Sequence, residues 1–536
     1  MQCTSGDRTG PMSGRSSGWW GMPPFYETTP VGFPGTSPSG SYGGSMRSRS
    51  TPRFLFAIAV SGLLLGAAGC TSSGPDTSRP TLAKASADTV TVADAADAAA
   101  RSVRVSKALF ASAPGAVVAR AGDADGIRGA AKAAASAHVP VLLTTKDTSA
   151  AVARELDRLG ADWYQAEGDV SVDTDVEQRQ APDGGDAPEP TRASRQATAV
   201  VADASADAAA VATAKAAGAR VVTMPEGVTD PAAAPDVVTA LHERAKHPTV
   251  LVGAAFDALP DPEWTVRAAE GGFQLRNGGQ RPFDGHRYVA LYGAPGAPAL
   301  GVLGEQGPKE TVQRAEQVAK PYRAESDERV TPAMEVIATV AAGDAGADGD
   351  YSTELPVSTL EPYVEAAHDA DMPVIIDLQP GRSDFLSQAK KYESLLKKPG
   401  VWLALDPEWR LTKDQVPLQQ IGSVSASEVN EVSSWLAALV KKEGLPPKAL
   451  VLHQFRLSMI QDRSALQTHP ELDMLVHVDG QGSQPDKQAT WKALHQGAPE
   501  GLHWGWKNFY DEDTPMLTPA QTMRDVQPTP SLVTYQ

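Results

Sequence analysis

Asp406-Pro407-Glu408-Trp409 sets two carboxylates two residues apart beside an indole, at the end of the apolar run Val401-Trp-Leu-Ala-Leu405. A strand turns alternate side chains to the same face, so Asp406 and Glu408 are expected to point one way and to shift each other's proton affinity. Acid/base cleavage of a glycosidic bond needs such a pair: one carboxyl keeps a proton for the leaving oxygen while another stays ionised. Trp409 adds a flat apolar face that suits a sugar ring. Other apolar runs end similarly, in Asp377 with Gln379, in His453 with Gln454, in Asp479 and in Lys507. Asp377 or Asp479 is expected to supply the second carboxylate, as nucleophile, as base for water, or as the group orienting an N-acetyl substituent. Tyr292, Gln379, His453, Gln454 and Lys507 are expected to bind substrate, donating hydrogen bonds to sugar hydroxyls or to developing negative charge. Trp504, Trp506, Phe509 and Tyr510 offer an aromatic platform around Lys507-Asn508, although alternation along a strand would bury half of them. For any one acidic strand end a helix N-cap is the plainer explanation. Recurrence on separate strands is what points to a shared site.

The segments that carry these residues set the architecture. Strand patterns at 288–293, 334–340, 373–377, 401–406, 449–453, 474–479 and 502–506 alternate with helical stretches such as 360–370, 385–396, 427–441 and 487–494. Seven such repeats within residues 281–536 predict a (β/α)8-type barrel, with an eighth strand near 532–534. A twisted open sheet is the competing fold. In a barrel the C-terminal strand ends meet at one mouth, where enzymes of this architecture place their chemistry.

The Asp406-x-Glu408-Trp409 strand end resembles the fourth-strand motif of family 18 chitinases and their relatives. Leu403, Ala404 and Leu405 stand where that motif carries its earlier aspartates, and Pro407 separates the two carboxylates. The resemblance implies the barrel and a proton-donor role for Glu408. Asp377, Asp406, His453, His477 and Asp479 include donors suited to a divalent ion, yet no HxH or HxxxH spacing fixes two ligands on one element. The sequence therefore assigns no metal and no cofactor. From Cys70 onward the chain carries neither a Gly-x-Ser-x-Gly nucleophile elbow nor a Walker lysine.

Upstream, two similar halves alternate strand and helix. Residues 89–170 carry strand patterns at 116–119, 139–145 and 162–165, with helices at 125–137 and at 148–159, the latter stopped by Gly160. Residues 198–280 repeat the order with strands at 199–202, 220–223 and 249–252 and helices at 206–216 and 234–245. The Asp-, Pro- and Gly-rich stretch 171–197 reads as a spacer. Such alternation predicts two Rossmann-like parallel-sheet units, since parallel neighbours need a crossover. His138-Val-Pro-Val-Leu-Leu-Thr144, Leu156-Asp-Arg-Leu-Gly160 and Ala166-Glu-Gly168 resemble the bacterial cell-wall-binding repeat of type 2. The resemblance implies wall-polymer binding; two α/β units that only pack together are the alternative.

At the amino-terminal side, Arg47, Arg49 and Arg53 precede the apolar run 54–66, which leads into Ala67-Ala-Gly-Cys70. A basic region, an apolar stretch of about 7–15 residues and small residues make an export signal, too short for the ~20 residues of a membrane span. Residues 46–70 resemble the bacterial lipoprotein signal, which implies lipidation of Cys70 and an outer-face membrane anchor; an uncleaved signal anchor is the alternative. Residues 71–88 read as a tether. Residues 1–45, rich in Gly, Ser and Pro, read as disordered or as an over-extended start. Cys3 and Cys70 are the only thiols, so a lipidated mature chain has no disulfide and no Cys-ligated metal. A net charge of −17 disfavours nucleic acid as a partner. Two functions remain open: a lipid-anchored glycosidase acting on wall or extracellular polysaccharide, and a non-catalytic surface protein that binds such a polymer.

Overall fold

The structure, a computed structural model, describes residues 80–82, 90–93, 95, 97–182 and 197–536. Residues 1–45, the export signal with Cys70, most of the tether and residues 183–196 of the spacer lie outside the described residues. Within the tether, Thr81–Leu82 pairs antiparallel with Phe110–Ser112, so that stretch is part of the fold. Among the described residues no helix is long and apolar enough to cross a membrane.

Eight parallel strands close on themselves between residues 286 and 535. They are β1 (His286–Gly293), β2 (Arg329–Ala341), β3 (Val374–Leu378), β4 (Val401–Leu405), β5 (Lys448–His453), β6 (Leu472–Val478), β7 (His503–Asn508) and β8 (Leu532–Tyr535). Pairing runs in chain order and β8 returns to β1, through register partners such as Ala290 and Thr534. The open-sheet alternative is thereby excluded. Helices follow most strands, among them Val357–His368, Ala426–Glu443 and Gln484–His495. The Ala426–Glu443 helix starts where Ser425 accepts a bond from the Glu428 amide at 3.2 Å.

Strand side chains divide by parity. Outward residues such as Val289, Leu291, Val336, Ile376, Leu403, Leu450 and Val476 meet the helices in the largest apolar cluster. Inward residues fill the lumen in layers. Tyr288, Ala290, Ala333, Ile375, Trp402, Ala404, Ala449, Val451, Leu475 and Leu532 form an apolar lower core, the alanines leaving room for Trp402 and Tyr288. Leu275 and Phe283, from the segment before β1, join that core, and Phe273 packs against it. Phe283 lies 5.9 Å from Tyr288 and 6.2 Å from Trp402, ring to ring, which closes the barrel floor.

Two parallel sheets precede the barrel. One orders Val141–Thr144, Gly115–Arg120, Trp163–Glu167 and Glu177–Gln178; the last of these falls in the expected spacer yet pairs as an edge strand. The other orders Val90–Ala93, Thr249–Val252, Thr198–Val201 and Arg220–Thr223. Its edge strand thus comes from the start of the expected first unit, residues 89–170, which ties the two halves together. Ala-rich helices allow close packing between them, and Thr213 Oγ1 bonds both the amide (3.0 Å) and the carbonyl (3.1 Å) of Val141. Gly160 ends the Ser149–Leu159 helix at φ 64°, a left-handed conformation that glycine adopts without a Cβ penalty.

Candidate active site

Above the apolar core, the next inward position on nearly every strand is polar. Tyr292 comes from β1, Glu335 from β2, Asp377 from β3, His453 from β5, His477 from β6, Lys507 from β7 and Thr534 from β8. Asp406, Gln379 and Asp479 follow the ends of β4, β3 and β6. Strand parity and shared register explain the layer: Tyr292 pairs with Glu335, His453 with His477, and Lys507 with Thr534.

His453 is the hub. Its Nε2 lies 2.8 Å from Glu335 Oε1 and its Nδ1 lies 2.9 Å from Asp479 Oδ2, while Asp377 Oδ1 stands 4.0 Å from Nε2. The Tyr292 hydroxyl donates to Asp377 Oδ2 at 2.9 Å and accepts from Gln379 Nε2 at 3.2 Å. His477 Nε2 lies 3.0 Å from Thr534 Oγ1. The Lys507 ammonium sits 3.5 Å from the centre of the Tyr292 ring, within cation–π range. Four buried atoms face into this layer without a hydrogen-bond partner: Glu335 Oε2, Asp377 Oδ1, His477 Nδ1 and Asp479 Oδ1. Orphaned buried polar atoms cost ~1–3 kcal/mol each, so four together mark a place built for something else.

The environments separate the protonation states. Burial would neutralise His453, but the charges of Glu335 and Asp377 and its bonds to Asp479 and Glu335 hold it well above its ordinary value, as an imidazolium. Burial, then the positive charges of His453 and Lys507, keeps His477 well below its own. Burial pushes Asp377 up to about 6 against the pull of His453, with Glu335 adding to the rise. Asp406 is raised well above the carboxylate range by burial, with Asp377, Asp479 and Glu408 adding and His453 opposing. Burial acts on Asp479 too, but the His453 hydrogen bond and the His453 and Lys507 charges overturn it and leave Asp479 below its ordinary value. Glu408, half-buried at the rim, is pushed up to about 7 by burial and the charge of Asp479, against Lys507, His453 and Arg456.

Asp377, Asp406, Glu408, Asp479, Tyr292, Gln379, His453 and Lys507 thus lie together at this end of the barrel. The route differs at Asp406 and Glu408. β4 ends at Leu405, and Pro407–Trp409 form a 3-10 turn whose Glu408 amide donates to Asp406 Oδ1 at 3.2 Å. Strand alternation therefore does not carry the pair; the proline-initiated turn does. Trp409 is half-buried beside them. Two expectations need correction. Trp506 is fully buried on the outward face of β7, 5.6 Å from the Trp491 ring, with its Nε1 donating to Asn508 Oδ1, so it is packing core and no sugar platform. Gln454 is also buried, bonding the Arg456 carbonyl at 3.0 Å and accepting from Arg463 Nη1 at 3.3 Å, which makes it a brace for the loop after β5. Glu335 was missed because it lies inside an apolar strand between Met334 and Val336. A lone carboxylate on the inward parity of β2 was the signal available.

Two sets of three side chains bring one ligand-type atom each to within 4.8 Å of one another: Glu335, His453 and His477, and Asp406, His453 and Asp479. Two surface concavities, of about 620 Å3 along the Gln484–His495 helix and about 380 Å3 at the floor beside Phe273 and Gly400, lie away from this mouth.

No family model matches the chain, and no curated protein matches it. Among solved structures it is similar to an enolase from Pseudomonas fluorescens determined with bound magnesium, potassium and tartrate, at 14% identity and a TM-score of 0.22. The match covers 61% of this chain and spans 64% of that protein's length. At that level the likeness carries no argument about the site. The strand order itself identifies a TIM-like barrel of eight parallel strands, preceded by parallel-sheet α/β units, with a buried cluster of histidines and acids at its mouth.

Proposed function

We propose that the barrel is a hydrolase that cleaves glycosidic bonds by carboxylate acid/base chemistry, with Glu408 as the proton donor. The observation that carries this reading is Glu408 itself: a carboxyl at the rim of the polar layer, raised to about 7 by burial and by Asp479, and so still holding a proton near neutrality. Asp479 supplies the second carboxylate and Lys507 the positive charge that steadies developing negative charge. Asp406, deeper and capping the turn, positions Glu408. Half-buried Trp409 and the Tyr510 ring, 41% exposed on the loop after β7, support a sugar-binding rim. The α/β units resemble wall-binding repeats, and a lipid on Cys70 would hold the enzyme on the outer face of the membrane, against wall or extracellular polysaccharide.

One observation favours a second reading, a non-catalytic surface protein that binds such a polymer. Glu335, Asp377 and His453 are wholly buried, so no substrate atom touches them while the mouth loops stay in place. The two readings part on one experiment. Reducing-end release from peptidoglycan and from β-1,4-linked N-acetylglucosamine oligomers is measured for the wild type and for Glu408→Gln, with binding followed by calorimetry. An acid catalyst loses about 10²–10⁴-fold in rate with binding retained. Binding by both proteins with cleavage by neither supports the binder.

A further inference from the structure

We propose that the polar layer holds one divalent first-row transition-metal ion, of the zinc or manganese type, ligated by Glu335, Asp377, His453 and His477. The four ligands come from β2, β3, β5 and β6, which is why no spacing along the chain reveals them.

Geometry comes first. Glu335, His453 and His477 bring ligand atoms to within 4.8 Å of one another. Glu335 Oε1 lies 2.8 Å from His453 Nε2, Glu335 Oε2 lies 3.9 Å from His477 Nδ1, and Asp377 Oδ1 lies 4.0 Å from His453 Nε2. Bonds of about 2.0–2.2 Å in a tetrahedral shell put donor atoms roughly 3.4 Å apart, a value these separations bracket. Three of the atoms that would face the ion, Glu335 Oε2, Asp377 Oδ1 and His477 Nδ1, are buried with no hydrogen-bond partner. All four side chains are fully buried.

The supporting contacts have the form that metal sites need. A ligating histidine is normally held through its other nitrogen, and a ligating carboxylate through its other oxygen. Here Asp479 Oδ2 lies 2.9 Å from His453 Nδ1, Thr534 Oγ1 lies 3.0 Å from His477 Nε2, and the Tyr292 hydroxyl donates to Asp377 Oδ2 at 2.9 Å. With Nε2–H of His477 assigned to Thr534, Nδ1 is the nitrogen left for an ion, 3.9 Å from the orphaned oxygen of Glu335. Two imidazoles with two carboxylates suit zinc or manganese better than calcium, which prefers an all-oxygen shell. Charge agrees. Glu335, Asp377, Asp406 and Asp479 crowd one buried layer with Lys507 and the His453 imidazolium as its cations; an ion bound at His453 Nε2 replaces the proton released from that nitrogen and keeps a cation between the carboxylates. The ion binds whether or not the barrel cleaves glycans, so this inference stands apart from the proposed activity.

The test uses the full chain, stripped with a chelator and dialysed, then titrated with ZnCl2 and with MnCl2 by calorimetry, with metal content measured after a second dialysis. About one equivalent of one of these ions is expected to remain. His477→Ala and Glu335→Gln should each lower affinity at least tenfold. Asp479→Asn, which leaves every ligand in place, should lower it about 10–100-fold through His453. Cobalt(II) replacing the ion should give the visible bands of a four-coordinate site in the wild type and lose them in His477→Ala. Stripped wild-type protein that is folded by circular dichroism yet takes up neither ion overturns the proposal without reference to any variant. So does full retention of the ion by His477→Ala.

Discussion

Gly505 lies directly against the ring of His477: a β-carbon at position 505 would stand 2.7 Å from His477 Cδ2 and 3.0 Å from Leu475 Cδ2. The two residues are register partners on β7 and β6, so the missing side chain of one is the space taken by the other. Gly505→Ala should therefore tilt the imidazole off Thr534 and cost about 1–3 kcal/mol of overpacking. Urea unfolding reads the stability, and the His477 ring resonances read the tilt. An unchanged midpoint together with unmoved resonances would show that the layer has slack.

The state of Glu408 sets a pH dependence. The groups that face it are Asp479, Asp406, Lys507, His453 and Arg456, and the balance leaves its proton bound up to about 7. A proton donor works only while protonated, so kcat/KM should be level below that pH and fall about tenfold per unit above it. Glu408→Gln should abolish this limb along with most of the rate. A limb that survives in the variant would belong to another group.

Lys448 offers a pH test of stability, at the far end of the barrel. Its ammonium is fully buried near the start of β5, donating to the carbonyls of Val401 (2.8 Å) and Lys398 (3.0 Å), and burial pushes it down to about 7 from 10.5. Between those values the unfolded chain binds the proton and the folded chain does not. Wild-type stability should then rise with pH from about 7 to 10.5, by at most about 1.4 kcal/mol per unit. Below about 7 the full penalty is present. Lys448→Met removes the group, so its advantage over the wild type should be greatest near pH 6 and shrink towards pH 10. Parallel denaturation curves at all pH values would contradict this.

Arg281 fastens the α/β region to the barrel floor. Its Nε bonds Asp230 Oδ2 at 2.6 Å, and its Nη1 reaches Asp473 Oδ1 at 3.1 Å and the Pro470 carbonyl at 2.7 Å. Arg281→Leu leaves two half-buried carboxylates facing each other and should cost about 3 kcal/mol. A cycle with Asp473→Asn should return a coupling of at least ~1 kcal/mol. Additive effects would mean that the arginine only fills space.

Much of the barrel was legible because a parallel strand covered on both faces must be apolar nearly throughout. Runs such as Val374–Leu378 and Lys448–His453 therefore declare themselves, as does the short eighth strand at Leu532–Tyr535. The acids and His453 were legible where an apolar run stops, since a strand end is where a polar side chain draws notice. Glu335 was not, because β2 runs on past it to Ala341 and hides it mid-strand. Trp506 misled for a related reason: the aromatic alternation in His503–Asn508 is visible in the sequence, but which parity faces the lumen is fixed only by Lys507 and Gly505 within the closed barrel. The Asp406/Glu408 pair came together through a local turn that the strand pattern does not encode.

The closed floor governs traffic. Leu275 and Phe283 pack with Trp402 and Tyr288 to close the barrel floor among the described residues, and the polar layer lies towards the rim where Glu408 and Trp409 stand. On the proposed reading, an ion for the polar layer enters from that rim before a polymer lies across it. Under that reading, a few apolar side chains at the opposite end of the barrel set the order in which ion and polymer bind.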